Sequence, residues 1–171
     1  MSYFNQFGTI LYDPAGDGSA KLCTDIMSRV RIRASMKKEI IMLDTYAVKE
    51  NETPEIVADK HHGSPYYHWI VMLLNNISDV NHDWVKSTRQ LQMYLTNKYT
   101  EAQLTETHHY EISQTSGDTT IKIEVENTNY PGASPVTNYE YEVALNEEKR
   151  EINLLRNDYL GYFEDEFKNL I

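Results

Sequence analysis

The chain has a single cysteine, Cys23, among 171 residues, so no disulfide forms within it, which fits a reducing compartment and equally a small core residue. Positive charge is also scarce. Sixteen Lys and Arg stand against 26 Asp and Glu, a formal net charge of −10. Phosphate binding needs a concentrated basic face, so this balance argues against a nucleic-acid partner. The one basic cluster, Arg29, Arg31, Arg33, Lys37 and Lys38, reads as a solvated face or a local match to an acidic protein neighbour. Long apolar runs are missing as well: the longest, Trp69 to Leu74, is far below the roughly 18 residues of a membrane span. No secretory signal or anchor stands out, and the protein is expected to begin in the cytoplasm that makes it. No internal repeat or low-complexity tract is present, which excludes an array of modules.

Phenylalanine is rare, 4 residues against 13 tyrosines. Tyrosine joins apolar area to a hydroxyl that must stay wet or find a partner, so the bias suits protein interfaces, or the rim of a small core. The length supports one domain, or one domain with attached elements, and a real core.

Recognisable chemistry is absent too. There is no G-x-S-x-G, P-loop or dinucleotide fingerprint. Glu55 and Asp59 stand i,i+4 on one helix face, the placement of an acid and base pair in a glycosidase, but Glu55 is explained by the helix dipole. His61, His62 and His68 cluster without H-E-x-x-H spacing or a completing Cys or carboxylate. Asp79, Asn81 and Asp83 begin like a calcium loop, yet Trp84 and Gln90 occupy the positions that need Gly and Glu, so these residues read as turn caps. No catalytic residue, metal ligand or cofactor is assigned.

What is present is concentrated between Tyr46 and Trp84. A short strand, Asp44 to Lys49, leads to two helix openings of one construction. Thr53 and Pro54 give a hydroxyl cap and a residue whose fixed φ suits the first helical position, with Glu55 where the dipole favours it. Gly63 ends that helix, Ser64 and Pro65 repeat the start, and a second helix runs through Trp69 to Asn75 and Asn76. That helix carries Tyr66, Tyr67, Trp69, Ile70, Val71, Met72, Leu73 and Leu74 with almost no polar face, so it must be covered on more than one side. The module's own strands cover one side, leaving the other for later segments or partner proteins. Trp69 and Trp84 could stack on sugar rings; the plainer reading is that both are core residues.

Strand, capped helix, glycine turn, second helix, then Asn is the order of LysM modules. The run from Thr53 to Trp84 resembles, more specifically, the LysM-like segment of a baseplate wedge protein of T4-like contractile-tailed bacteriophages. The matching positions are Pro54, Glu55, Ile56, Ala58, Gly63, Pro65, Trp69, Asn75, Asp83 and Trp84. His62 stands where that family usually has Tyr, and Val85 where Pro often follows; both changes are expected to alter packing only.

Along the rest of the chain, residues 1–22 read as an aromatic strand or extended arm followed by a Pro14, Gly16, Gly18 loop, which must pack elsewhere on the fold or on another protein. Thr24 is expected to cap a short helix with Ile26, Met27 and Val30 on its apolar side. Ser87 and Gln90 form a capping box for an amphipathic helix to about Tyr99, a plausible cover for the Trp69 helix; the family's helix also ends in a Lys-Tyr pair, matched by Lys98 and Tyr99. Tyr110, Ile112 and Gln114 alternate against Ile121, Ile123 and Val125 across a turn at Ser116, Gly117 and Asp118, a hairpin. Residues 127–138 read as a loop. A helix from about Asn138 to Arg150, an extended Glu151 to Leu155 and a closing helix from Asn157 follow. Asn146, Glu147, Arg150 and Ile152 match the family's N-E-x-x-R-x-I pattern, and Leu160, Phe163, Phe167 and Leu170 make one apolar stripe.

The expected fold class is α+β: a small LysM-like strand-helix-helix core with an added amphipathic helix, a β-hairpin and a C-terminal helical segment. The expected parts are 1–43, an N-terminal arm and short helix; 44–86, the LysM-like module; 87–136, the covering helix and hairpin; and 137–171, a helical interaction segment. The resemblance implies a structural role in the virion tail baseplate, assembled in the host cytoplasm. It implies partners among the other wedge proteins, including the sheath-initiating lysozyme-like one, and the central hub, in a sixfold hetero-oligomer, with no nucleic acid and no membrane. Expected partner-binding residues are Tyr66, Tyr67, Trp69, Met72, Trp84, Tyr94, Asn146, Glu147, Arg150, Phe163 and Phe167. The alternative is a LysM-type peptidoglycan-binding module, against which stand the single copy and the missing linkers; a cell-wall hydrolase is disfavoured by the missing catalytic set.

Overall fold

The computed structural model describes residues 3–27, 40–115, 117, 118 and 120–170. The basic cluster at 29–38, Val30 and Ser116 of the expected turn lie outside the described residues. In chain order the strands and helices are β1 (Thr9–Tyr12), β2 (Lys21–Thr24), β3 (Leu43–Ala47), α1 (Pro54–His62), α2 (His68–Leu74), α3 (Val80–Asp83), α4 (Thr88–Lys98), α5 (Glu101–Leu104), β4 (Thr107–Ser113), β5 (Lys122–Val125), β6 (Ser134–Thr137), α6 (Asn138–Glu148), β7 (Glu151–Leu155) and α7 (Leu160–Leu170). This is α+β. They fall into two compact units, Met1–Asp83 with Glu151–Ile171, and Trp84–Arg150.

In the first unit the local signals act as read. Thr53 is extended, its hydroxyl accepts from the Ile56 N–H at 3.4 Å, and Pro54 opens α1. Gly63 closes it at φ 73°, a left-handed conformation without cost only for glycine, and its N–H returns to the Asp59 carbonyl at 2.9 Å. Ser64 caps a 3-10 turn at Pro65–Tyr67 that runs into α2. The strand that pairs with β3 is supplied from far along the chain: β7 lies antiparallel to it, Leu43 opposite Leu155 and Ala47 opposite Glu151. Around this pair, β3, α1, α2 and β7 give the order strand, helix, helix, strand, with α3 and residues 84–150 coming before the closing strand.

Its core is built on Trp69, Ile70 and Leu74 of α2, Leu155 of β7, Phe163 and Phe167 of α7, and Phe7 of the arm. The rings of Trp69 and Phe167 lie 4.6 Å apart and those of Tyr3 and Trp69 5.5 Å apart. One expectation is corrected by this packing. The second cover of the α2 helix, left open between later segments and partner proteins, is supplied by the arm and the closing helix, and Trp69, Ile70, Val71 and Leu74 are all buried. The covering role expected of the amphipathic helix falls to those segments, while α4 packs against α6 in the second unit. Of the last 35 residues, α6 falls in the second unit and β7 and α7 in the first.

The helix expected after Thr24 is also corrected as far as it is described. Residues 21–24 form β2, paired with β1 so that Leu11 faces Leu22 and Ile10 faces Cys23, and Ile26 and Met27 form a turn. Lys21 to Thr24 alternates with too few apolar contacts to show its strand character alone; β1 supplies the partner that decides it.

In the second unit α4 begins with the expected capping box of Ser87 and Gln90, and two more open α5 (Thr100, Gln103) and α6 (Thr137, Glu140). The hairpin keeps the expected register, Tyr110 opposite Val125 and Ile112 opposite Ile123, with the Gln114 N–H on the Ile121 carbonyl at 2.9 Å. Residues 134–137, expected to be loop, form β6 on the other side of β4. Pro135 is tolerated because β6 is an edge strand.

Candidate interaction surface

Two buried glutamates, Glu52 and Glu142, hold elements together. Glu52 accepts from the Tyr46 hydroxyl at 2.8 Å, the Lys49 N–H at 2.8 Å and the Lys60 ammonium at 2.6 Å, tying β3 to α1. Burial pushes its carboxyl upward, but the Lys60 ammonium, the Lys49 N–H and the Tyr46 hydroxyl outweigh it and hold it below the usual glutamate range. Glu142 of α6 does the same for α4, accepting from Lys98 and from the Tyr99 hydroxyl at 3.0 Å. Its carboxyl too is lowered against the pull of burial, and the Lys98 ammonium is raised by that contact. The Lys-Tyr pair at the end of α4 is thus an internal fixture. Neither glutamate was singled out by sequence, where each is one acidic residue among many.

The three clustered histidines, His61, His62 and His68, are each engaged within the first unit. His61 Nε2 meets the Leu155 carbonyl at 3.0 Å, His62 Nδ1 the Asn157 side-chain carbonyl at 2.8 Å, and His68 Nδ1 the Pro65 carbonyl at 2.9 Å. Asp83 accepts from the Ser78 and Asp79 N–H groups, both at 2.9 Å, as the turn cap it was read to be. Among the described residues no three His, Cys, Asp or Glu side chains gather as a metal set, and no helix is long and apolar enough to cross a membrane.

The expected partner-binding residues divide. Trp69, Trp84, Phe163 and Phe167 are buried, so their apolar area is already used by this chain. Asn146 is buried and clamps the backbone of Lys86, accepting from its N–H at 2.8 Å and donating to its carbonyl at 3.0 Å. Glu147 and Arg150 hold one another through two contacts at 2.6 and 2.8 Å. Tyr67 and Met72 are half-buried. Tyr94 is half-buried between the ammonium groups of Lys86 and Lys98, 5.3 and 5.5 Å from its ring centre. Of the eleven, Tyr66 is the apolar side chain that reaches solvent, 62% exposed.

The apolar surface that does face water lies elsewhere. All eight residues of β1 and β2 are exposed, and the cross-strand neighbours Leu11 and Leu22 are 73% and 69% exposed. Ile26 and Met27 extend this area, and Cys23 is exposed within it. A two-stranded ribbon is marginal by itself, and among the described residues no third strand joins it. The tip is ordered by Asp13, whose carboxylate accepts from the N–H groups of Ala15, Gly16 and Gly18. Sequence reasoning placed an arm here but not its exposure, because the alternation of Ile10 and Tyr12 looks the same whether or not a sheet lies beneath it.

No curated protein matches the sequence. A family model described as base plate wedge protein 53 matches residues 22–131, well over half of the chain, and the chain belongs to that family.

Proposed function

We propose that this baseplate wedge protein is a structural clamp, joining neighbouring wedge subunits to one another and to the inner baseplate and hub during tail assembly. The observation that carries the reading is the β1–β2 ribbon, with Leu11 and Leu22 side by side in water on a strand pair that no third strand joins among the described residues. Exposed apolar area on a strand pair of this kind is stabilised when another chain adds to it. Its partners in this reading are the other wedge proteins, including the sheath-initiating lysozyme-like one, in a sixfold assembly formed in the host cytoplasm. Mixing the purified chain with the other wedge proteins of the same phage and separating complexes by size is expected to give stable co-migration; a chain that elutes alone under all mixtures overturns the clamp.

The strand-helix-helix-strand order of β3, α1, α2 and β7 supports a LysM-like reading of the first unit. It also favours the second hypothesis, a peptidoglycan-binding module. The two are separated by sedimenting the chain with cell-wall sacculi. The clamp reading expects no saturable retention, and saturable retention with no wedge complex would establish the glycan module in its place.

A further inference from the structure

We propose that His108 and His109 form a proton-controlled clasp between β4 and α6 in the second unit, closed while the pair carries at most one added proton and opened when both rings are charged. A regular strand sends consecutive side chains to opposite faces, so neighbouring imidazoles do not meet. Here the register between β4 and β6 shifts between Thr107 and His109, opposite Thr137 and Val136, and His108 is the extra residue. Such a bulge re-aims a side chain. It brings His108 Nδ1 to 2.9 Å from His109 Nδ1 and lays the His108 ring on that of Tyr141 in α6, 3.8 Å between centres and 12° from parallel.

The proton bookkeeping follows from the atoms. His109 Nε2 lies 2.9 Å from the Glu111 carboxylate, which only accepts, so that nitrogen carries the hydrogen. In the neutral ring Nδ1 is then bare and accepts from His108 Nδ1–H. One added proton keeps one donor and one acceptor across the 2.9 Å gap. A second puts N–H against N–H, the hydrogen bond is lost, and two like charges face each other.

The charged groups around the pair act on this balance from each neighbouring element. Glu111 sits on β4 itself, Glu124 lies opposite it on β5, and α6 contributes Tyr141 and Glu142, the latter already engaged by Lys98 of α4. The residues of β6 that face this end of β4, Val136 and Thr137, carry no charge. No carboxylate lies between the two Nδ1 atoms, 2.9 Å apart, to bridge them when both carry a hydrogen. What opens is the stack on Tyr141, one of the side-chain contacts that seat α6 on the sheet.

The test is nuclear magnetic resonance of the full chain, following imidazole nitrogens and ring protons from pH 8 to about pH 5, across the ordinary histidine range. The His108 ring protons, shifted upfield by Tyr141, are expected to lose that shift only as the second proton binds. His109→Asn supplies a side chain that donates or accepts at the same place without titrating, so the stack should then survive acidification; His108→Phe reports the Tyr141 shift of a ring that never charges. The proposal is overturned if the wild-type stack persists to the acid limit with both rings charged. It is equally overturned if the stack is lost in His109→Asn at the same point as in the wild type.

Discussion

The side chain of Asn75 pairs with the backbone of Asn153 as a strand would: its Oδ1 accepts from the Asn153 N–H at 2.9 Å and its Nδ2 donates to the Asn153 carbonyl at 2.8 Å. The same amide nitrogen also reaches the Val71 carbonyl in the last turn of α2, at 2.8 Å. One side chain therefore ends the Trp69 helix and closes the outer edge of β7, two jobs that an apolar residue at this position does neither of. Asn75→Ala is expected to lower unfolding stability by about 1–3 kcal/mol through the backbone groups left without partners. A denaturant melt measures it, and a midpoint equal to wild type would refute the account.

Asn146 repeats this arrangement on Lys86, which sets the members of the N-E-x-x-R-x-I pattern apart. Asn146→Ala removes a buried two-bond clamp and should cost about 1–3 kcal/mol. Glu147→Ala, which breaks an exposed ion pair with Arg150, should cost less than about 1 kcal/mol. If Glu147→Ala is the more damaging in a thermal melt, the pattern is not held by the packing described.

How far the chain could be read in advance follows from where each signal lives. Thr53, Gly63, Ser87 and the Tyr110 to Val125 register act over a few residues, and each is found where the sequence put it. The pairing of β3 with β7 spans more than a hundred residues of chain, and no local pattern in Glu151 to Leu155 names its partner. For that reason the sequence leaves the cover of the Trp69 helix open between later segments and partner proteins, where Phe7, Phe163 and Phe167 provide it. The expected interaction residues meet the same difficulty: an apolar side chain is equally suited to a core and to an interface, and its sequence position does not say which.

Acid should destabilise the protein through Glu52 and Glu142. Both carboxyls are lowered in the folded chain by their ammonium and hydroxyl partners, so the unfolded state binds protons more readily. The stabilisation is complete above the ordinary glutamate range and is lost as pH falls through the lowered folded values. Melting temperature measured against pH should fall more steeply on the acid side for the wild type than for Glu52→Gln or Glu142→Gln. Parallel curves would show that these contacts carry no linkage.

Gln6 buries both polar atoms of its amide without a hydrogen-bond partner, beside the aromatic arm that covers Trp69. Burying an amide unpaired costs more than burying an apolar chain of similar length. Gln6→Met is therefore expected to raise stability by about 1 kcal/mol, read as an increased denaturant midpoint. A decrease would mean that the amide is satisfied in solution and that the arm is seated differently.

The ribbon separates folding from assembly most directly. Leu11 and Leu22 touch solvent over most of their surface, so replacing both by serine removes little buried area and should leave the melting temperature within the change expected of surface positions, about 0.5 kcal/mol in stability. The same double substitution takes away the apolar pair that a neighbouring subunit would cover, and co-migration with wedge proteins is expected to be lost. Tyr66→Ala, on the exposed corner of the first unit, serves as the comparison: it tests whether the site once expected on the Trp69 helix contributes at all. If Leu11→Ser with Leu22→Ser assembles normally while Tyr66→Ala does not, the contact belongs to the helix corner, and the ribbon is an exposed strand pair without that role.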